Sequence, residues 1–276
     1  MVMSVELSAF DKLKEDPELH DYLVRRVGKS HLRQRIGIEK EHAADRFGQG
    51  RTFIHIENWQ TAAAVIRFVL KITNLSERGR ANILNFQVRH NHVELAHLSS
   101  QFNGLTILHL SDLHLDSVPG FPDCLAQKIR DLDYDFCVMT GDYLFRTHGA
   151  HDEAMEGLER LCREIDGEIY AVLGNHDSIL MTKPMESLGI HLLLNEHTAI
   201  EREGNSIYLA GIDDPHYFSA DNLEQAYDGI PDDSVSVLLA HSPEIYRHAA
   251  YVGFDFMLCG HTPVSYTHLT LPTISE

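Results

Sequence analysis

The chain has 276 residues, 43% of them apolar, enough to bury a full core and too many for a disordered chain. Its net charge of −18 is uneven, because the first 100 residues hold 15 of the 23 Lys and Arg but only 12 of the 41 Asp and Glu. The rest would repel a polyanion, which excludes long nucleic acid as its partner. A small phosphate ester stays compatible, since bound divalent cations reverse a local field.

In chain order, residues 1–58 read as polar helical segments, such as Phe10–Val27, with a break at Gly48-Gln49-Gly50 and no evident chemistry. No basic start followed by an apolar stretch opens the chain at Met1–Glu6. The apolar segment Ala62–Ile72 is interrupted by Arg67 and Lys71 and is shorter than the roughly 20 residues of a membrane span. From Trp59 to Ile72 it reads as an ordinary packed helix or as one lying on a membrane surface. Leu84, Phe86 and Val88 alternate, as do Val93 and Leu95, which predicts two strands.

From Leu105 the rhythm becomes strand, loop, helix. Strands are expected at Leu105–Leu110, Phe136–Thr140, Glu168–Leu173, His191–Leu194, Thr198–Glu201, Ser206–Ile212, Val235–Ala240 and Asp255–Cys259. Helices are expected at Cys124–Leu132, Glu153–Ile165, Met181–Leu188, Leu223–Tyr227 and Glu244–Ala250. This alternation gives a layered α/β architecture with ligands gathered at strand ends. The four cysteines show no C-x-x-C spacing, and Cys137 and Cys259 lie in apolar runs. Buried free thiols in a reducing, cytosolic setting fit that usage.

Six short motifs follow apolar strands. They are Ser111-Asp112-Leu113-His114, Gly141-Asp142, Gly174-Asn175-His176-Asp177, Asp213-Asp214, His241-Ser242 and Gly260-His261. Asp, Asn and His offer the oxygen and nitrogen donors that suit Mn, Fe or Zn. Any one of them alone reads as well as a cap, a turn or a satisfied core histidine; the ordered set points to a metal site. His176, next to Asn175, is the best placed non-ligand acid, with Asp177 as its expected orienting partner. Tyr143, Arg146 and His148 follow Asp142 on a loop and are candidates to touch substrate. The Asp213-Asp214 pair reads equally as a turn, as a support or as a contact to a polar head group.

This motif set resembles the calcineurin-like metallophosphoesterase superfamily over roughly residues 84–262. The phrasing Thr106–His114, with Gly211-Ile212-Asp213-Asp214-Pro215, is most similar to the YkuE/YaeI-type bacterial phosphodiesterases, relatives of the UDP-2,3-diacylglucosamine hydrolases. Strand and helix periodicity would also allow a doubly wound sheet. The resemblance instead implies a four-layer α/β/β/α sandwich, here preceded by a mainly helical extension over 1–83 that could dock on a membrane surface. It also implies two divalent metal ions. Asp112 and His114 would bind the first, Asp142 would bridge both, and Asn175, His241 and His261 would hold the second. His176 and Asp177 would serve catalysis. The implied activity is metal-dependent hydrolysis of a small phosphate ester, a phosphodiester or a pyrophosphate-linked lipid precursor, by an activated water. UDP-2,3-diacylglucosamine pyrophosphatase activity and a non-catalytic metal-binding scaffold are the alternatives.

The sequence departs from the family at Gly260-His261-Thr262-Pro263, where Gly-His-x-His is usual. Pro263 has no donor, so the first metal should bind more weakly. The run Pro263–Thr273 looks like a translated sequencing adapter. It leads to the expectation of a non-native tail over 263–276, with the sandwich incomplete and no strand after Asp255–Cys259.

Overall fold

The computed structural model describes residues 13–46, 75–145, 150–261 and 268–270. Arg146, His148 and the Trp59–Ile72 stretch lie outside the described residues. The helices are α1 (Pro17–Val27), α2 (Lys29–Arg46), α3 (Leu75–Leu84), α4 (Phe121–Ile129), α5 (Asp152–Cys162), α6 (Thr182–Ser187), α7 (Leu223–Tyr227) and α8 (Tyr246–Val252). The strands are β1 (Ile107–Leu110), β2 (Phe136–Thr140), β3 (Ile169–Val172), β4 (Ile190–Leu192), β5 (Glu196–Arg202), β6 (Asn205–Gly211), β7 (Ser236–Leu239), β8 (Phe256–Leu258) and β9 (His268–Thr270).

Two sheets form, in the orders β1-β2-β3-β4 and β5-β6-β7-β8-β9. The first is wholly parallel, and in the second β6, β7 and β8 run parallel between antiparallel edge strands. Side chains alternate across each strand, and that alternation sorts three cores. Phe136 and Val138 of β2 meet Val237 and Leu239 of β7 between the sheets. Cys137 and Met139 face the other way, into a core shared with Leu23 of α1, Leu32 and Ile36 of α2, Leu125 of α4 and Leu158 of α5. On the far side Leu238 and Met257 pack under Leu223 of α7 and Ala249 of α8. The result is the expected four-layer α/β/β/α sandwich; a doubly wound sheet is excluded by the second sheet.

Two details differ from what the sequence predicts. Residues 85–98 form no strand, because their alternation marks one-sided packing of an unpaired segment. Phe86 packs on the helical core, and Val93 and Leu95 pack between the sheets. A strand does follow Asp255–Cys259: β9 pairs antiparallel with β8, with Met257 opposite Leu269. β8 would otherwise expose a row of unpaired backbone groups, and the β-prone His268–Thr270 segment supplies partners for them.

Helices α1 and α2 are set by local signals and by contacts to the sandwich. Asp16 caps α1 by accepting a hydrogen bond from the Leu19 amide at 2.9 Å, Pro17 opens the helix, and Gly28 ends it at φ 80°. Both helices then pack on the first sheet's helical layer. Tyr22 and Arg26 bond Glu186, and Arg26 also reaches Glu196. Among the described residues no helix is long and apolar enough to cross a membrane.

Candidate metal centre

Each motif sits where its strand ends and the chain must turn sharply. Asp112 (φ 52°), His114 (41°), Asp142 (59°) and His261 (67°) all occupy the left-handed region. Non-glycine residues there cost of order 1–3 kcal/mol each and persist only when their surroundings hold them, a pattern that clusters at functional sites. The loops also press together. A Cβ on Gly174 would collide with the Asp142 carboxylate, and one on Gly260 would strike Ser111 Oγ and the Asp112 carboxylate. Only glycine allows these approaches.

On one side four donor atoms converge. Asn175 Oδ1 lies 2.9 Å from His241 Nε2 and 2.8 Å from His261 Nδ1, and the two ring nitrogens are 3.1 Å apart. Asp142 Oδ2 stands 3.3 Å from the same Nε2. His241 Nδ1 donates to the Thr140 carbonyl at 2.7 Å, so in the neutral ring Nε2 is an acceptor facing the Asn175 and Asp142 oxygens. A proton or a cation at Nε2 relieves that opposition. Burial lowers the His241 pKa, but the hydrogen-bonded Asp142 carboxylate outweighs burial and lifts it to about 9. These residues fit a divalent cation: two imidazole nitrogens, one neutral oxygen and one carboxylate.

The other side holds His114, His176 and Asp142, whose ligand atoms lie within 4.8 Å of one another. Asp142 is common to both groups. Asp112 is set differently from expectation. Its carboxylate accepts the Ser111 hydroxyl at 2.7 Å and the His261 amide at 3.1–3.2 Å, and it is not part of the His114 group.

One loop fixes three histidines. Thr140 O holds His241, Leu144 O accepts His114 Nδ1 at 2.6 Å, and Phe145 O accepts His176 Nδ1 at 2.8 Å. Each imidazole therefore turns its Nε2 towards the site, a tautomer choice that residue identity could not reveal. Asp177 governs this loop, and here the sequence expectation is corrected. Its carboxylate does not touch the His176 ring. It accepts the amides of Asp142, Tyr143, Leu144 and Gly174 at 2.8–3.2 Å, gathering the turns after β2 and β3. An Asp177→Asn variant turns half of that acceptor into a donor facing amides. It should lose about 1–3 kcal/mol in urea unfolding of the metal-free chain, and unchanged stability would refute the clamp.

Asp213 and Asp214 are both buried, and their carboxylates serve as supports rather than head-group contacts. Asp214 accepts the amides of Tyr217 and Phe218 at 2.6 and 2.8 Å, closing a turn. Asp213 bonds His31 of α2 at 2.7 Å. Tyr143 is buried too, its hydroxyl donating to Val172 O at 3.0 Å, so it is core rather than a substrate contact.

A family profile described as calcineurin-like phosphoesterase matches residues 105–265. The metallophosphoesterase YkoQ of Bacillus subtilis is 32% identical over 166 residues, covering 57% of this chain and 60% of the relative. YpbG of the same organism is 28% identical over 165 residues, covering 57% and 61%. A Bos taurus transmembrane protein with a metallophosphoesterase domain is 30% identical over 196 residues, covering 62% and 43%. The chain thus spans no more than 61% of the length of any of these relatives. With more than half of its residues matched, strand-end site included, the chain belongs to the calcineurin-like phosphoesterase family.

Proposed function

We propose that this chain is a phosphoesterase that uses two divalent cations to hydrolyse a P–O bond of a small phosphodiester or pyrophosphate-linked substrate. The observation that carries the reading is Asp142, shared between two groups of converging metal-ligand atoms. Asn175, His241, His261 and Asp142 would hold one cation; His114, Asp142 and Asp112, after its carboxylate swings from the His261 amide, would hold the other. When bound, the cations would polarise the phosphoryl oxygens and make a water acidic enough to attack.

The chain's own residues supply the rest. His176 is anchored through Nδ1, so Nε2 is the atom that can carry a proton to the departing oxygen. Its amide donates to Asp142 Oδ1 at 2.9 Å, which ties the acid to the bridging carboxylate. The buried Asp177 holds both turns still, so little reorganisation accompanies the reaction.

Hydrolysis of bis-p-nitrophenyl phosphate with Mn²⁺, lost on chelation and regained on re-addition, is the test. Absence of turnover with Mn²⁺, Fe²⁺ and Zn²⁺ alike would favour a metal-binding scaffold. Calorimetric titration should find one tight and one weaker site, because four donors already converge on the His241 side. Two equally tight sites would contradict that asymmetry.

A further inference from the structure

Helix α2 lies outside residues 105–265 matched by the family profile, yet it grips two of the loops that build the metal centre. Its Arg35 is fully buried, and the Nη2 group donates to the Asp177 carbonyl at 2.8 Å. The guanidinium carbon stands 3.3 Å over the Phe218 ring. Asp213 Oδ1 and Glu39 Oε1 each lie 3.5 Å from the guanidinium, at Nη1 and Nε. Those two nitrogens make no hydrogen bond among the described residues, so the carboxylates act there as charge partners.

Neighbours on the same helix repeat the grip. Glu39 accepts the Ile179 amide at 2.9 Å and the Ser178 hydroxyl at 2.8 Å, directly after Asp177. His31 bonds Asp213, and Gln34 donates to Phe218 O at 3.0 Å. α2 therefore holds residues 177–179 after β3 and residues 213–218 after β6. The first of these loops carries Asn175 and His176 at its start.

We propose that Arg35 is a positioning residue for hydrolysis: by holding the Asp177 carbonyl and pairing with Asp213, it sets where Asn175 and His176 stand. The inference rests on the phosphoesterase reading for its effect on rate. Its chain of contact is short. Arg35 fixes the backbone of Asp177, whose carboxylate fixes the amides of Asp142–Leu144, whose carbonyl neighbours fix His114 and His176. An alternative is that Arg35 does no more than offset the buried charge of Asp213 and Glu39. That role would be structural, and removing Arg35 together with the Asp213 charge, which leaves the local net charge unchanged while Glu39 keeps the Ser178 and Ile179 donors, would restore everything.

Three variants separate the two roles: Arg35→Met, Arg35→Lys and the double variant Arg35→Met/Asp213→Asn. Full-length protein loaded with Mn²⁺ is assayed on bis-p-nitrophenyl phosphate, with thermal midpoint and amide hydrogen exchange over residues 174–179 measured alongside. In Arg35→Met kcat should fall on the order of 10²-fold, the scale of a displacement of about 1 Å, with KM changed little. The double variant should recover the thermal midpoint but not kcat, and exchange over 174–179 should stay fast. Arg35→Lys, which keeps the charge but not the planar fork, should fall between. Recovery of kcat together with the midpoint in the double variant would overturn the proposal, as would wild-type kcat and exchange in Arg35→Met. If Arg35→Met does not fold, the double and Lys variants still distinguish positioning from charge neutralisation by the same two readouts. Exchange is read without substrate, so it judges Arg35 even if the wild-type chain hydrolyses no phosphate ester, a result that would sink the phosphoesterase reading instead.

Discussion

Changing Asp142 to asparagine should abolish turnover and strip metal from both sites at once. The substitution keeps the shape of the side chain but removes the one negative charge common to both groups of ligand atoms. A carboxylate between two cations a few ångströms apart offsets their mutual repulsion; a neutral amide cannot. Affinity should therefore fall by more than the roughly 10–100-fold expected when only a partner that orients a ligand is lost. The same change has a signature in the metal-free chain. There His241 keeps its proton up to about pH 9, because the Asp142 carboxylate overcomes the effect of burial. Without that carboxylate burial and weaker partners remain, and the His241 pKa should drop in an NMR titration. Metal content by mass spectrometry, turnover and the His241 resonance should all move together. Full metal occupancy in Asp142→Asn would end the bridging assignment.

Much of this site is legible in the sequence because backbone and side chain carry one message. Apolar runs such as Phe136–Thr140 predict strands, and a Gly-Asp directly after such a run predicts a ligand at a strand end. The close approaches at Gly174 and Gly260 show why glycine precedes the ligands there. What is not legible involves groups with no sequence signal. Carbonyls of Thr140, Leu144 and Phe145 choose the histidine tautomers, and every residue has a carbonyl. Asp177 misleads because adjacency to His176 suggests a ring contact, whereas a tight turn aims its carboxylate back at four amides. Arg35 is hidden for a different reason: its hydrogen-bond partner is 142 residues away, and a lone arginine on a polar helix normally faces solvent.

His176→Ala should separate proton transfer from metal binding. The ring is oriented by the Phe145 carbonyl rather than by another side chain, and its Nε2 stands 3.8 Å from Asp142 Oδ2. That places it beside the Asp142 carboxylate but not among the four atoms converging near His241. Loss of the imidazole should leave metal affinity on the His241 side unchanged, because Asn175, His241, His261 and Asp142 all stay. The rate should fall by roughly 10²–10⁴-fold, the usual contribution of a positioned acid. The size of the fall should depend on the leaving group. A p-nitrophenolate departs with little protonation, so its ester should lose least; an alkyl alkoxide needs a proton, so its ester should lose most. Equal losses for both esters would show that His176 stabilises charge on the phosphoryl group instead, and a large loss of metal from the His241 side would show that it holds the site's structure.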